Sequence, residues 1–290
     1  RASYRYRPRR NGFRPNESLA RARWWARPPT LVRKYARPVT VLAPRDASEL
    51  DPHRLPRHVL PRRYDLVLTP DLAGASFTGN VVITADVVAT TRLIALNAAE
   101  LDIETVFIDG QPAPFSLDDD RERLLIGALA DVGPGSTTLD ITFRGTLNDK
   151  LRGFYRSTYR DENGVEHVIA CSQMQSTDCR RAFPCFDEPD FKAVFGVTLM
   201  VDDGIMAVSN GPEISRTRDE AANKDAVRFA DTMVMSTYLV AFVVGRLEAT
   251  APVDVRGVPL RIVHVHGKGH LTDFGLDVGA KSLAWFTDYY

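Results

Sequence analysis

The sequence is poor in residues that cross-link a fold. It has three cysteines in 290 residues, Cys171, Cys179 and Cys185, and no C-x-x-C pair. An odd number cannot all pair within one chain, which argues against a disulfide framework and for reduced thiols in a cytoplasmic protein. No apolar run approaches the ~20 residues that cross a bilayer; the longest, Tyr238–Val244, has the length of a strand. The amino terminus is basic but lacks an apolar core, so it is not a secretory signal. Net charge is absent as well, 37 Lys+Arg balancing 37 Asp+Glu. That balance conceals a division. Residues 1–45 carry 13 basic residues and one acid, Glu17, which leaves 24 basic and 36 acidic residues in 46–290. An acidic body attracts neither nucleic acid nor an anionic membrane, so neither is expected as a partner.

Catalytic motifs are equally scarce. There is no G-x-S-x-G elbow, no P-loop and no dinucleotide-binding fingerprint. None of the six histidines is followed by glutamate, so H-E-x-x-H is missing too. Zinc hydrolysis needs a metal cage and a general base, and neither is written here as a motif. No catalytic and no metal-ligating residue is therefore assigned in this chain.

What is present is alternation. From Leu60 onward Tyr64, Leu66 and Leu68 share one side of a strand, with Asp65 and Thr69 on the other. Phe77, Val81, Ile83, Ala85 and Val87 then alternate with Thr78, Asn80, Thr84 and Asp86. Successive side chains of a strand point to opposite faces, so this is the pattern of a half-buried strand. Short apolar segments continue to Leu260–Val265, punctuated by Asp109-Gly110 and Gly133-Pro134-Gly135. Many short strands with few helical windows predict an all-β sandwich of mostly antiparallel strands. One segment differs. After Thr272, a plausible N-cap, Leu276, Ala280, Leu283, Phe286 and Tyr290 fall at helical spacing. The chain stops within that helix on an apolar face, so a truncated product is expected. Residues 1–50 show no sustained period and read as a disordered or mis-annotated extension, the chain beginning with Arg1 rather than Met. Sparse serine opposes a targeting peptide, and no folded binding module follows to support a nucleic-acid arm.

Three groups of polar residues invite a functional reading. His264, His266 and His270 could ligate zinc from one face of a strand. The plainer reading is a strand-end pair and a loop histidine, because no carboxylate or thiol lies nearby in sequence to complete a tetrahedral site. Asp187 and Glu188 are adjacent, and neighbouring carboxylates rarely face one substrate atom. Bracketed by Pro184 and Pro189, Asp187 reads instead as an acceptor of backbone N–H bonds in a rigid loop. Gln173 and Gln175 lie two apart and, if extended, point to one side, where two amide carbonyls could converge on a cation or an ammonium group. From spacing alone, a polar strand end with solvated amides is the plainer account.

The run Gln173-Met174-Gln175-Ser176-Thr177-Asp178-Cys179-Arg180-Arg181-Ala182-Phe183-Pro184-Cys185-Phe186-Asp187-Glu188-Pro189 resembles the signature that closes the amino-terminal domain of aminopeptidase N-type metallopeptidases. Gly153-Phe154-Tyr155-Arg156-Ser157, Ser209-Asn210, and Met235 through Phe242 are similar to further segments of that family, in the same order. Leu55-Pro56 through Leu66 is similar to its opening. The resemblance implies a saddle-like β-sandwich (residues 51–255), followed by the start of a thermolysin-like catalytic domain (256–290). In the intact parent it implies a zinc aminopeptidase that removes amino-terminal residues from peptides. Zinc-activated water would attack the first peptide bond with a glutamate as general base. It assigns Gln173 and Gln175 to binding the free α-amino group and lining the first specificity pocket. Many relatives have Glu at the second of these positions, so the ammonium here would meet a carbonyl dipole rather than a full charge. The zinc ligands of the family all follow the final helix, so no zinc is expected on this chain, its partners are peptide substrates and the catalytic domain, and the chain alone is expected to be inactive. A stand-alone β-sandwich that binds peptide amino termini or a protein partner without catalysis is the alternative.

Overall fold

A computed structural model describes residues 50–290. The extension assigned to residues 1–50 lies, but for Leu50, outside the described residues. The first half of the body contains β1 (Val59–Asp71), β2 (Ser76–Val87), β3 (Thr91–Asn97), β4 (Leu101–Ile108), β5 (Gln111–Pro112), β6 (Phe115–Asp118), β7 (Arg123–Val132) and β8 (Gly135–Thr146). There follow β9 (Gly153–Arg160), β10 (Glu166–Gln173), β11 (Val194–Val201), β12 (Met206–Ser209), β13 (Glu213–Asp219), β14 (Lys224–Phe229) and β15 (Phe242–Gly245). The chain ends with β16 (Leu247–Ala249), β17 (Val253–Val255), β18 (Val258–Leu260), β19 (Val263–Val265) and the helix α1 (Asp273–Tyr289). The all-β reading holds. One sheet runs β13-β14-β11-β1-β2-β8-β4-β5, a second β12-β15-β10-β9, a third β3-β7-β6. Among the described residues the strands pair antiparallel except for β1 with β11.

The predicted inward faces are the observed ones. Tyr64, Leu66 and Leu68 of β1 are buried, as are Phe77, Val81, Ile83, Ala85 and Val87 of β2. A bulge between Pro61 and Arg63 moves the inward set of β1 from odd to even positions, so that Val59 and Tyr64 face the same core. A continuous run of aromatic rings then joins the large sheet to the four-stranded one. Phe143 meets Phe77, Phe77 meets Phe154, and Phe154 meets Phe242, with centroids 6.5, 5.3 and 5.6 Å apart in edge-to-face contacts. From Phe242 the run passes to Phe183 at 6.5 Å, then to Tyr64 at 6.0 Å, and Tyr64 stacks on Phe195 at 4.7 Å. Phe183 belongs to no strand. It is delivered by the loop after β10, which thereby becomes part of the core.

Three expectations are refined. Within the apolar run Tyr238–Val244 only Phe242–Val244 are strand; residues 237–239 form a 3-10 turn. Leu260–Val265 is split between β18 and β19. Thr272 is no side-chain cap: its backbone is already helical, and its hydroxyl donates back to the Gly269 carbonyl at 2.7 Å. The helix itself is where the spacing put it. Leu276, Ala280 and Leu283 are half-buried, while Gly275 and Gly279 lie close to Ile262 and Leu260. Arg256, in the turn of the β17–β18 hairpin, donates to Asp288 near the helix end at 2.8 Å. Phe274, Trp285, Phe286, Tyr289 and Tyr290 stay exposed. Among the described residues no helix is long and apolar enough to cross a membrane.

Two glycines make the centre of the large sheet possible. On the paired strands β2 and β8, Phe77 stands opposite Gly145 and Gly79 opposite Phe143. A Cβ at Gly145 would lie 2.2 Å from the Phe77 ring, and one at Gly79 2.4 Å from the Phe143 ring. Neither glycine has a positive φ, so only space is at issue. Gly145→Ala is therefore expected to cost about 1–3 kcal/mol in urea denaturation, through overpacking. The pair Phe77→Leu/Gly145→Ala should lose less than the sum of the two single changes, because the smaller side chain vacates the clash; additivity would show that the ring is not what excludes the methyl.

Candidate substrate-anchoring loop

The loop begins where β10 ends. Gln173 is the last residue of that strand and pairs with Gly153 of β9. Extension stops there. Met174 turns inward and is buried, and residues 175–178 form a turn closed by the Asp178 N–H donating to the Met174 carbonyl at 2.9 Å. Gln173, Gln175, Ser176 and Thr177 are exposed on this turn. The Gln175 N–H donates to Gln173 Oε1 at 3.2 Å, so the two glutamines are coupled through one side chain and one backbone group. Among the described residues the Gln175 amide has no hydrogen-bond partner within the chain and is left to solvent or a ligand.

Below the tip the loop is fastened by charge. Asp178 Oδ1 accepts from Arg152 Nε and Nη2 at 3.1 and 2.9 Å and from Arg181 Nε at 3.0 Å. Arg181 also donates to Glu100 Oε1 at 2.7 Å and to Glu122. Arg180 donates to the other Glu122 oxygen at 3.0 Å. Gly153, with φ +63°, makes room for this turn: a Cβ there would lie 2.7 Å from the Arg181 Cβ.

Deeper still is Asp187, whose side chain is fully shielded from solvent. Its Oδ2 accepts from the Arg180 backbone N–H at 3.2 Å and from Arg180 Nε at 3.0 Å. Its Oδ1 accepts from the Thr237 hydroxyl at 2.7 Å, and its own N–H donates to Asn97 Oδ1 at 3.1 Å. Burial works against the Arg180 charge, but Asp187 outweighs it and holds the guanidinium above its ordinary pKa. Asn97 and Cys185 exchange both backbone hydrogen bonds, at 2.8 and 3.0 Å. The Phe186 N–H reaches the Tyr64 hydroxyl at 3.1 Å. Glu188 points elsewhere, accepting from the Leu55 N–H and pairing with Arg57 at 2.7 Å. The two neighbouring carboxylates therefore serve two separate structural tasks, as their adjacency suggested.

The histidines are partly drawn together. His266 Nδ1 lies 2.7 Å from Glu248 Oε1, while His264 Nδ1 is 3.8 Å from Oε2 and bonds the Val265 carbonyl. Sequence reasoning missed Glu248, which β16 sets opposite His264. The group still does not gather three ligand atoms around one point. Among the described residues one group does so: Cys179, Cys185 and an Asp187 oxygen lie within 4.8 Å of one another, all buried. Its Asp187 oxygens are already taken and it has no open face, so it does not fit a hydrolytic zinc, which keeps a position for water. The zinc that the family resemblance implies thus has no fitting cage among the described residues.

The chain belongs to the Peptidase M1 N-terminal domain family, whose model matches residues 60–239. It is 41% identical over 248 residues to aminopeptidase M1-A of Oryza sativa subsp. japonica. It is 39% identical over 243 residues to the puromycin-sensitive aminopeptidase of Caenorhabditis elegans and 34% identical over 243 to the alanine/arginine aminopeptidase of Saccharomyces cerevisiae. These matches cover 82%, 82% and 81% of this chain but 28%, 26% and 28% of the relatives. The chain thus spans about a quarter of the length of the relatives it matches.

Removing the Asp187 carboxylate takes from the shielded Arg180 guanidinium its buried partner, leaving it only the more exposed Glu122, and orphans the shielded Thr237 hydroxyl. Asp187→Ala is expected to cost about 3–5 kcal/mol, against about 1 kcal/mol for Thr237→Val, which removes one hydrogen bond. Equilibrium denaturation measures both; equal losses would mean that the ion pair is not the fastening element.

Proposed function

We propose that this chain is the substrate-anchoring portion of a zinc-dependent aminopeptidase, and that Gln173 and Gln175 receive the free amino terminus of the peptide. The match to the family model carries this reading. The loop geometry supports it: two exposed amides sit on a turn whose base is fixed by buried and half-buried ion pairs. An ammonium group has three N–H donors and needs acceptors in fixed positions. The Gln175 carbonyl oxygen is available for one of them. Gln173 Oε1 already accepts from the Gln175 N–H and can accept a second bond, since a carbonyl has two lone pairs. Holding the α-amino group sets the first peptide bond at a fixed distance from the anchor, which makes cleavage an exopeptidase reaction. Hydrolysis itself belongs to residues other than those described, and so does the zinc. In this reading residues 51–255 form the anchoring domain and 256–290 lead into the catalytic one. Three unpaired cysteines suit a reducing, cytoplasmic setting.

Two measurements test this. The purified 290-residue chain, supplied with zinc, should release no chromophore from aminoacyl chromogenic substrates; turnover would sink the division of labour. In the intact enzyme, Gln175→Ala should lower kcat/KM about tenfold for peptides with a free amino terminus, the worth of one hydrogen bond. Unchanged efficiency would count against the anchor. The non-catalytic alternative is separated at the transcript: a reading frame that continues past Tyr290 into H-E-x-x-H supports the enzyme, and a stop codon there supports the stand-alone module.

A further inference from the structure

All three cysteines of the chain are free, but two of them are not alone. Cys179 opens the 3-10 turn that carries Arg180 and Arg181, and Cys185 forms the β-bridge to Asn97. Both are fully buried, and their Sγ atoms lie within 4.8 Å of each other. Met174, Phe183 and Phe186 of the same loop are buried with them. We propose that Cys179 and Cys185 form a redox-active dithiol, oxidised by a hydroperoxide to an intrachain disulfide that locks the loop bearing Gln173 and Gln175.

Proximity carries the case. Two buried sulfurs within 4.8 Å of each other on one short loop can reach bonding distance by a modest approach, and the bond closes a loop of seven residues. A thiophilic metal is the rival occupant. It would need the Asp187 carboxylate as third ligand, yet both oxygens of that group are spent on Arg180 and Thr237. The Arg180 guanidinium beside them also repels a cation. Burial pushes both thiols above their ordinary range, so neither is a standing thiolate. Oxidation then proceeds when the loop opens locally, and is slow in the closed state. The chemistry balances without a cofactor. One thiolate attacks the peroxide oxygen, giving a sulfenic acid and one water. The second thiolate attacks that sulfur, forms the S–S bond and expels the second water. Two electrons and two protons pass from the thiols to the peroxide.

The proposal stands whether or not the loop anchors peptides. Its test uses the full chain carrying Cys171→Ser, a half-buried position on β10 whose thiol would otherwise share a tryptic peptide with Cys179. Trypsin cuts after Arg180 and Arg181, placing Cys179 in the peptide Asp161–Arg180 and Cys185 in Ala182–Lys192. After hydrogen peroxide in mild urea, alkylation and non-reducing digestion, these two peptides should appear joined, and dithiothreitol should separate them. The oxidised protein, returned to buffer, should melt about 5 °C higher than the reduced one, as closure of a short loop in a domain of this size predicts. Separate peptides bearing sulfinic acid, or both cysteines alkylated after peroxide, would overturn the dithiol. A melting point that does not rise would overturn the lock. One zinc retained per chain through gel filtration, with both thiols shielded from alkylation, would reassign the group to a metal.

Discussion

The buried Asp187 carboxylate is the constraint on which the loop, and through it the core, depends. It sits where three parts of the chain meet: the loop turn through Arg180, β3 through Asn97, and the segment before β15 through Thr237. A carboxylate out of contact with water is tolerable only if every lone pair it uses has a donor and a charge opposes its own. Here two N–H groups and a hydroxyl meet those terms. Arg180 and Arg181 are both largely shielded but engage different partners. Arg180 bonds inward to Asp187, whereas Arg181 bonds to Asp178, Glu100 and Glu122 around the loop's base. Glu100 and Glu122 are partly exposed, so their pairs contribute little alone, whereas the Asp178–Arg181 pair is largely shielded. Their value is collective, since they share acceptors and hold one turn in one position.

Packing and charge fix the loop from opposite sides. Phe183 enters the aromatic run between the two sheets, and the Phe186 N–H caps the Tyr64 hydroxyl, which burial raises well above its ordinary pKa. Withdrawing the loop would therefore open the core and orphan a phenol together. This is why a segment with no regular secondary structure carries some of the most buried residues in the chain. The loop has the composition of a core element and the backbone of a connection, with Gln173, Gln175, Ser176 and Thr177 exposed at its tip.

Much of this was legible in the sequence, in proportion to how local the cause was. Alternation along β1 and β2 reports the pleat, so the inward faces could be read directly; the helix from Asp273 follows from spacing alone. The 3-10 turn at 237–239 could not, because Tyr238–Val244 is apolar throughout and apolarity does not distinguish a strand from a buried turn. Thr272 fails as a cap because the 3-10 turn before it brings the Gly269 carbonyl within reach of its hydroxyl. At the site, adjacency rightly separated Asp187 from Glu188. The premise of an extended Gln173–Gln175 pair ends one residue after Gln173, where Met174 turns into the core. Glu248 beside His264 was not visible, since it depends on which strands are neighbours, and the approach of Cys185 to Cys179 depends on the path of one irregular loop. The one signal for the thiols was their place on either side of Arg180–Pro184, a segment too short to carry its ends far apart.

For the anchoring role proposed above, rigidity matters more than in a site built around a carboxylate. A full charge attracts an ammonium over several ångströms and tolerates some misplacement, because Coulomb energy falls slowly with distance. A neutral amide offers a directional bond that weakens steeply once angle or distance is wrong. With Gln at position 175, the binding energy available to an amino terminus is small, and any spent on ordering the loop is lost to affinity. A turn held in advance by Asp187, Asp178 and Phe183 removes that cost. In the proposed anchor, the dense pinning beneath an exposed pair of amides is the physical counterpart of a tip without negative charge.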